Sequence, residues 1–214
     1  MRGIVYKDLC LFFKGIDKWL LLVLGGLLVL FVVQGGVHAG MLVSFALDML
    51  VGVMHVGALE KEEETAWGDY QRTLPVGAGE VVAGKYAAVL LTVLAGVAGA
   101  VVCDLAAFAV YRTFLPEVLK LSVLLAAAIP LIWTALGLPF SYWFGSRVAQ
   151  YTSMPLAFLL FFSLRDLEDG RWAVADLTFL SENFAPVLLI GLLALAGLFL
   201  ASLALSAAGY CRRR

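Results

Sequence analysis

Six long apolar runs, separated by short polar breaks, dominate the chain. They extend from Trp19 to Val37, Met41 to Leu59, Tyr86 to Val110, Leu119 to Leu138, Val148 to Leu164 and Pro186 to Ala208. A run of about 20 apolar residues is enough to cross a hydrocarbon core of about 30 Å. Inside that core the backbone must satisfy its own hydrogen bonds, so each run is expected to be a helix. The fifth run is the shortest. The pattern predicts an all-α integral membrane protein with six transmembrane helices, and no strand is expected.

The polar intervals carry structure of their own. Val5, Leu9, Phe12 and Ile16 recur at four, three and four, while Lys7, Lys14 and Lys18 share another face. This predicts an amphipathic interfacial helix over residues 1–18, with its bases toward lipid phosphates. Between the second and third runs, Trp67, Tyr70 and Leu74 fall on one face of a short helix, with Asp69 and Arg72 beside it and Pro75 at its end. Trp, Tyr and Arg are typical anchors when one protein grips another, so this face reads as a dock for a soluble partner. Rings resting in the headgroups are the alternative, and the acidic run Glu60–Glu64 argues against close contact with anionic lipid.

Within the spans, Ala95, Gly99 and Cys103 form a small-residue stripe, with Gly96 and Ala100 beside it, suited to close helix packing. Pro116 fits the first turn of the fourth span. Pro130 is expected to kink that span and Pro139 to end it.

Composition adds class and orientation. The chain has 214 residues, 63% of them hydrophobic, and a mean hydropathy of +0.97. Six spans leave room only for a single membrane domain over 1–214. Of the 15 Lys and Arg residues, only Arg112, Lys120, Arg165 and Arg171 fall in loops on the outer side when the N-terminus is inside. The positive-inside rule then predicts two cytoplasmic termini. The basic head, first apolar run and Val37-His38-Ala39 imitate a cleaved leader, but the run is long for one, and an uncleaved span is expected.

Candidate chemistry is sparse. Cys10, Cys103 and Cys211 are too isolated for a disulfide framework or metal site and read as free thiols. Gly79 to Lys85 has P-loop spacing, but Tyr86 stands where Ser or Thr should hold magnesium, and no strand precedes it. The segment is better read as a helix start, with Lys85 and Tyr86 marking the membrane surface. His38 and His55 are expected on opposite sides of the bilayer and cannot share a metal. Asp48 and Asp104 lie inside spans, where an ionised Asp costs about 3 kcal/mol. They either line a route for cationic or amphipathic cargo or are satisfied locally. No catalytic constellation is present, and neither a cofactor nor a nucleic-acid partner is expected.

Lys7-Asp8-Leu9 in an amphipathic start, Trp67, Tyr70 and Leu74-Pro75-Val76 followed by Val81 to Tyr86, and Leu138-Pro139-Phe140 followed by Phe144-Gly145 give the chain a resemblance. It resembles the small permeases of type-2 ABC exporters, in particular those related to the phenol-soluble modulin exporter permease. The resemblance implies a homodimer in a bacterial plasma membrane, each copy binding a separate ATPase that supplies ATP and magnesium. It implies that residues 60–84 form a coupling loop, with the segment Trp67 to Thr73 as the coupling helix, and that amphipathic peptides are the cargo. The acidic Glu60–Glu64 run departs from the family pattern. Two other functions fit the residues alone: a secondary transporter driven by protons through Asp48 and Asp104, and a membrane immunity or sensor protein that binds without transport.

Overall fold

The computed structural model describes residues 2–14, 39–65, 67–73, 75–149 and 184–213, with isolated positions 18, 22, 23, 26, 151 and 155. Six helices are described: α1 (Arg2–Lys14), α2 (Ala39–Glu64), α3 (Trp67–Thr73), α4 (Ala78–Tyr111), α5 (Pro116–Phe144) and α6 (Phe184–Arg213). Four of them, α2, α4, α5 and α6, are long and apolar enough to cross a membrane. They correspond to the second, third, fourth and sixth apolar runs. The first and fifth runs lie almost wholly outside the described residues, as do Ile16 and the turn around Gly35.

The bundle is built on α5, which packs against α2, α6 and α4, while α2 also packs on α4. Glycines set the close approaches. A Cβ on Gly137 would sit 2.6 Å from Val56, one on Gly52 would sit 2.9 Å from Trp133, and one on Gly209 would sit 2.7 Å from Trp143. One apolar cluster joins Leu59 of α2, Val82, Tyr86, Val89 and Val93 of α4, and Leu138 and Tyr142 of α5, with Phe199 and Leu203 of α6 packed against it. The stripe of α4 that meets α2 runs through Gly96, Ala100 and Asp104. The neighbouring stripe singled out in the sequence does not make this seam, since Ala95 is exposed and a Cβ on Gly99 would meet open space.

Pro139 does not end α5, which continues to Phe144. A proline inside a helix frees the carbonyl four residues earlier, here that of Ala135. Ser202 on α6 donates its hydroxyl to that carbonyl at 2.6 Å, so a side chain replaces the missing backbone donor, as apolar surroundings require. At Pro130, Thr134 donates to the proline's own carbonyl at 2.7 Å. The helix ends at Gly145, whose φ of 102° only glycine adopts readily. Pro116 opens α5, and α4 ends at Arg112 in the left-handed region. Tyr86 is buried in the bundle, and its hydroxyl meets Ser202 at 2.6 Å and Ser206 at 2.8 Å.

Helix α4 begins eight residues before the apolar run that announced it, because Glu80 and Lys85 interrupt hydropathy but not helicity. At 34 residues it is about 51 Å long, well beyond a hydrocarbon core of about 30 Å. It is therefore longer than a span needs, and its first turns meet α1.

Candidate functional site: a charged joint and an acidic seam

Two helices, α2 and α4, approach each other antiparallel, and Asp48, His55, Glu62, Lys85 and Asp104 lie on or beside their seam. Gly40 of α2 packs on Asp104 of α4 with no room for a methyl group. Gly96 of α4 lets Asp48 approach, and His55 Nε2 meets Thr92 Oγ1 at 2.5 Å. Glu62 pairs with Lys85 at the α1 end. Asp48, His55 and Glu62 recur every seven residues, as do Lys85 and Thr92, which keeps them on one seam of a helix pair. That spacing was available in the sequence and marks residues that hydropathy alone passed over.

At the α1 end the seam opens into a cluster of charges. Glu62 accepts from Lys7 through Oε1 and from Lys85 through Oε2. Asp8 Oδ1 lies 2.8 Å from Lys7 and 3.6 Å from Lys85. Lys85 and Lys7 are both drawn into this cluster, so their ammonium groups serve carboxylates of the chain itself. The reason is the orientation of α1, whose buried apolar residues are Ile4 and Phe12. Ile4 packs against Gly84, where a Cβ would lie 2.9 Å away, and Phe12 stacks on His55 with ring centroids 4.8 Å apart. Val5 and Leu9 are only half-buried. The inward stripe is thus Ile4–Asp8–Phe12, which keeps Phe12 from the stripe that hydropathy indicated and replaces Val5 and Leu9 by Ile4 and Asp8. Glu62 also gives part of the acidic run a structural task.

Helix α3 sits next to this cluster. Lys7 Nζ lies 4.8 Å from the centroid of the Trp67 ring, within cation–π range. Trp67 and Gln71, one turn apart, face inward: Gln71 is 4% exposed, and Trp67 Nε1 is buried. Tyr70 points out at 55% exposure, with its ring 5.3 Å from that of Trp67. Of the five docking candidates, Trp67 thus faces the bundle and Tyr70 faces away from it. Asp69 and Arg72 belong to α3 by their backbone, and Leu74 lies outside the described residues. Gln71 was missed in the sequence, although its i+4 spacing from Trp67 was the available signal.

The two intramembrane carboxylates are enclosed, at 2% exposure for Asp48 and 0% for Asp104. Oδ2 of Asp48 has no hydrogen-bond partner, and the buried Ser122 hydroxyl is the one group placed to serve the Asp104 carboxylate, short of a well-formed bond. The two carboxylates stand eight residues apart in register, about 12 Å along the seam, with Ser44 and Ala100 between them. Ser44 spends its hydroxyl on the Gly40 carbonyl at 2.7 Å. Cys10, Cys103 and Cys211 are free thiols. His38 lies outside the described residues.

A bundle of long apolar helices with an ionised joint at one end defines a multi-pass membrane protein. A family model for the ABC-2 family transporter proteins matches residues 3–210, and the chain belongs to that family. It is therefore the membrane component of an ABC transporter, a kind of subunit that generally carries no catalytic site of its own and implies an ABC ATPase as partner. No curated protein and no solved structure matches it.

Proposed function

We propose that the chain is the permease subunit of an ATP-driven exporter of amphipathic peptides. It acts as a homodimer of six-span protomers, each bound to one ATPase through α3. The observation that carries this reading is α3 itself: a short helix outside the long spans, with the Tyr70 ring exposed and Trp67 fastened inward to α1 through Lys7. A dock needs both an outward anchor and an inward linkage. The α1 end also gathers Lys7, Lys85 and Arg212, which favours the cytoplasm there, and both termini lie with it in this reading. ATP and magnesium belong to the partner ATPase.

Asp48 and Asp104 line the cargo route in this reading. Two enclosed carboxylates without a counter-charge would greet a cationic peptide once the α2–α4 seam parts, because an intramembrane acid seeks one. Co-purification tests the reading. Trp67→Ala with Tyr70→Ala should release the ATPase from an intact permease, and undiminished co-purification would refute the dock. The same enclosed carboxylates favour one rival, proton-driven transport without ATP. Transport by the permease alone, abolished by Asp48→Asn, would establish that rival instead.

A further inference from the structure

The charged joint is not symmetric. Glu62 uses both oxygens, one on each lysine. Asp8 uses only Oδ1, and its Oδ2 is buried without a partner. A small cleft of about 20 Å³ lies beside it, lined by Asp8, His55 and Lys85 with apolar walls that include Leu59 and Leu138. That is room for roughly one water, so the Lys85 ammonium has space to shift. Lys85 thus has two carboxylates within reach, Glu62 engaged on both oxygens and Asp8 with an oxygen to spare. The three side chains are close to nine-tenths buried, at 9% exposure for Lys85, 10% for Asp8 and 11% for Glu62.

The two carboxylates within reach of Lys85 sit on different helices. Asp8 on α1 and Lys85 on α4 are held together by the contact of Ile4 with Gly84. Glu62 is on the last turn of α2, five residues before Trp67, and so belongs with α3. A buried ammonium cannot be left without a counter-charge, so a pull on α3 cannot simply strip Glu62 from Lys85.

We propose that Lys85 exchanges partners during transport, holding Glu62 in the state seen here and passing to Asp8 when α3 is drawn away. Glu62 and α3 then part from the α1–α4 contact in a discrete step, in which Lys7 must also release Glu62 and the Trp67 ring. Two alternative pairings supply the two-state element that coupling between distant sites requires. Asp8, Glu62 and Lys85 act as positioning residues, and the proposal rests on α3 being the ATPase dock.

Two measurements test it. The first uses thermal unfolding of the purified permease in detergent and needs no ATPase. Glu62→Gln alone and Asp8→Asn alone should each lower Tm modestly, because Lys85 keeps one carboxylate. The double variant should fall well beyond their sum, and additive shifts would overturn the exchange. The second reconstitutes the permease with its cognate ABC ATPase in vesicles and measures ATP hydrolysis without peptide. Glu62→Gln, which favours the drawn state, should raise hydrolysis about five-fold, and Asp8→Asn should lower it about five-fold. Changes in the same direction would reduce the joint to a static clamp. If Glu62→Gln is not recovered from membranes, Glu62→Asp keeps the charge, shortens the reach and is read the same way. A wild-type permease that binds no ABC ATPase would defeat the proposed function, while the additivity measurement would still decide the exchange.

Discussion

Ser202→Ala offers a quantitative test of how α5 survives Pro139. The Ser202 hydroxyl donates to the Ala135 carbonyl at 2.6 Å and meets the Tyr86 hydroxyl at 2.6 Å. Tyr86 keeps a second partner, Ser206, at 2.8 Å, so its loss is partial. The carbonyl loses the donor that replaced the absent Pro139 N–H. A hydrogen bond between membrane helices averages about 0.6 kcal/mol and reaches about 1.7 kcal/mol. Leaving a buried acceptor without a partner costs about 1–3 kcal/mol. The truncation should therefore cost about 2 kcal/mol, read by reversible unfolding in mixed detergent micelles. Pro139→Ala supplies the companion measurement, because it returns a backbone N–H to the Ala135 carbonyl. In that background Ser202→Ala should cost less than about 1 kcal/mol, the remainder being the Tyr86 contact. An equal cost in both backgrounds would refute the account of how the helix passes through the proline.

Other expectations follow from the same contacts. Gly137→Ala pushes a methyl to 2.6 Å from Val56 and should destabilise by about 1–3 kcal/mol. Gly99→Ala, which meets open space, should stay within about 0.5 kcal/mol of wild type; thermal unfolding of the pair checks both. Tyr70→Ala alone should weaken ATPase binding about 30-fold, the loss of a 2 kcal/mol anchor, with Tm unchanged; titration of the ATPase onto immobilised permease reads this. Asp104→Asn should reduce export of cationic peptides more than neutral ones while leaving the fold stable, and equal effects in a vesicle flux assay would remove the electrostatic role.

Hydropathy alone placed four helices correctly because long apolar runs have few alternatives in a bilayer. It erred where a polar residue was satisfied by something distant in the chain. Pro139 looked like a terminator because Ser202, whose hydroxyl serves Ala135, lies more than sixty positions later. The pairing of Lys85 was hidden because its carboxylates are on α1 and α2. Adjacent stripes such as Ala95–Gly99 and Gly96–Ala100 differ by one residue, so composition could not decide which one meets α2. The aromatic face of α3 was legible as a face, but which ring points inward depends on Lys7. Asp48 and Asp104 were visible from the start, as intramembrane acids always are; their places opposite Gly96 and Gly40 required the helix register.

The length of α4 turns a small event at one end into a larger one at the other. Its contact with Ile4 at Gly84 leaves no room for a methyl group and would serve as a fulcrum for any tilt of the helix. Asp104 is twenty residues further along the same rod, roughly 30 Å away. A swing of roughly 5° about Gly84 would carry Asp104 sideways by roughly 2.6 Å. That is enough leverage to lift it off Gly40 and uncover, at the far rim, an acid that is sealed while the rod stands still.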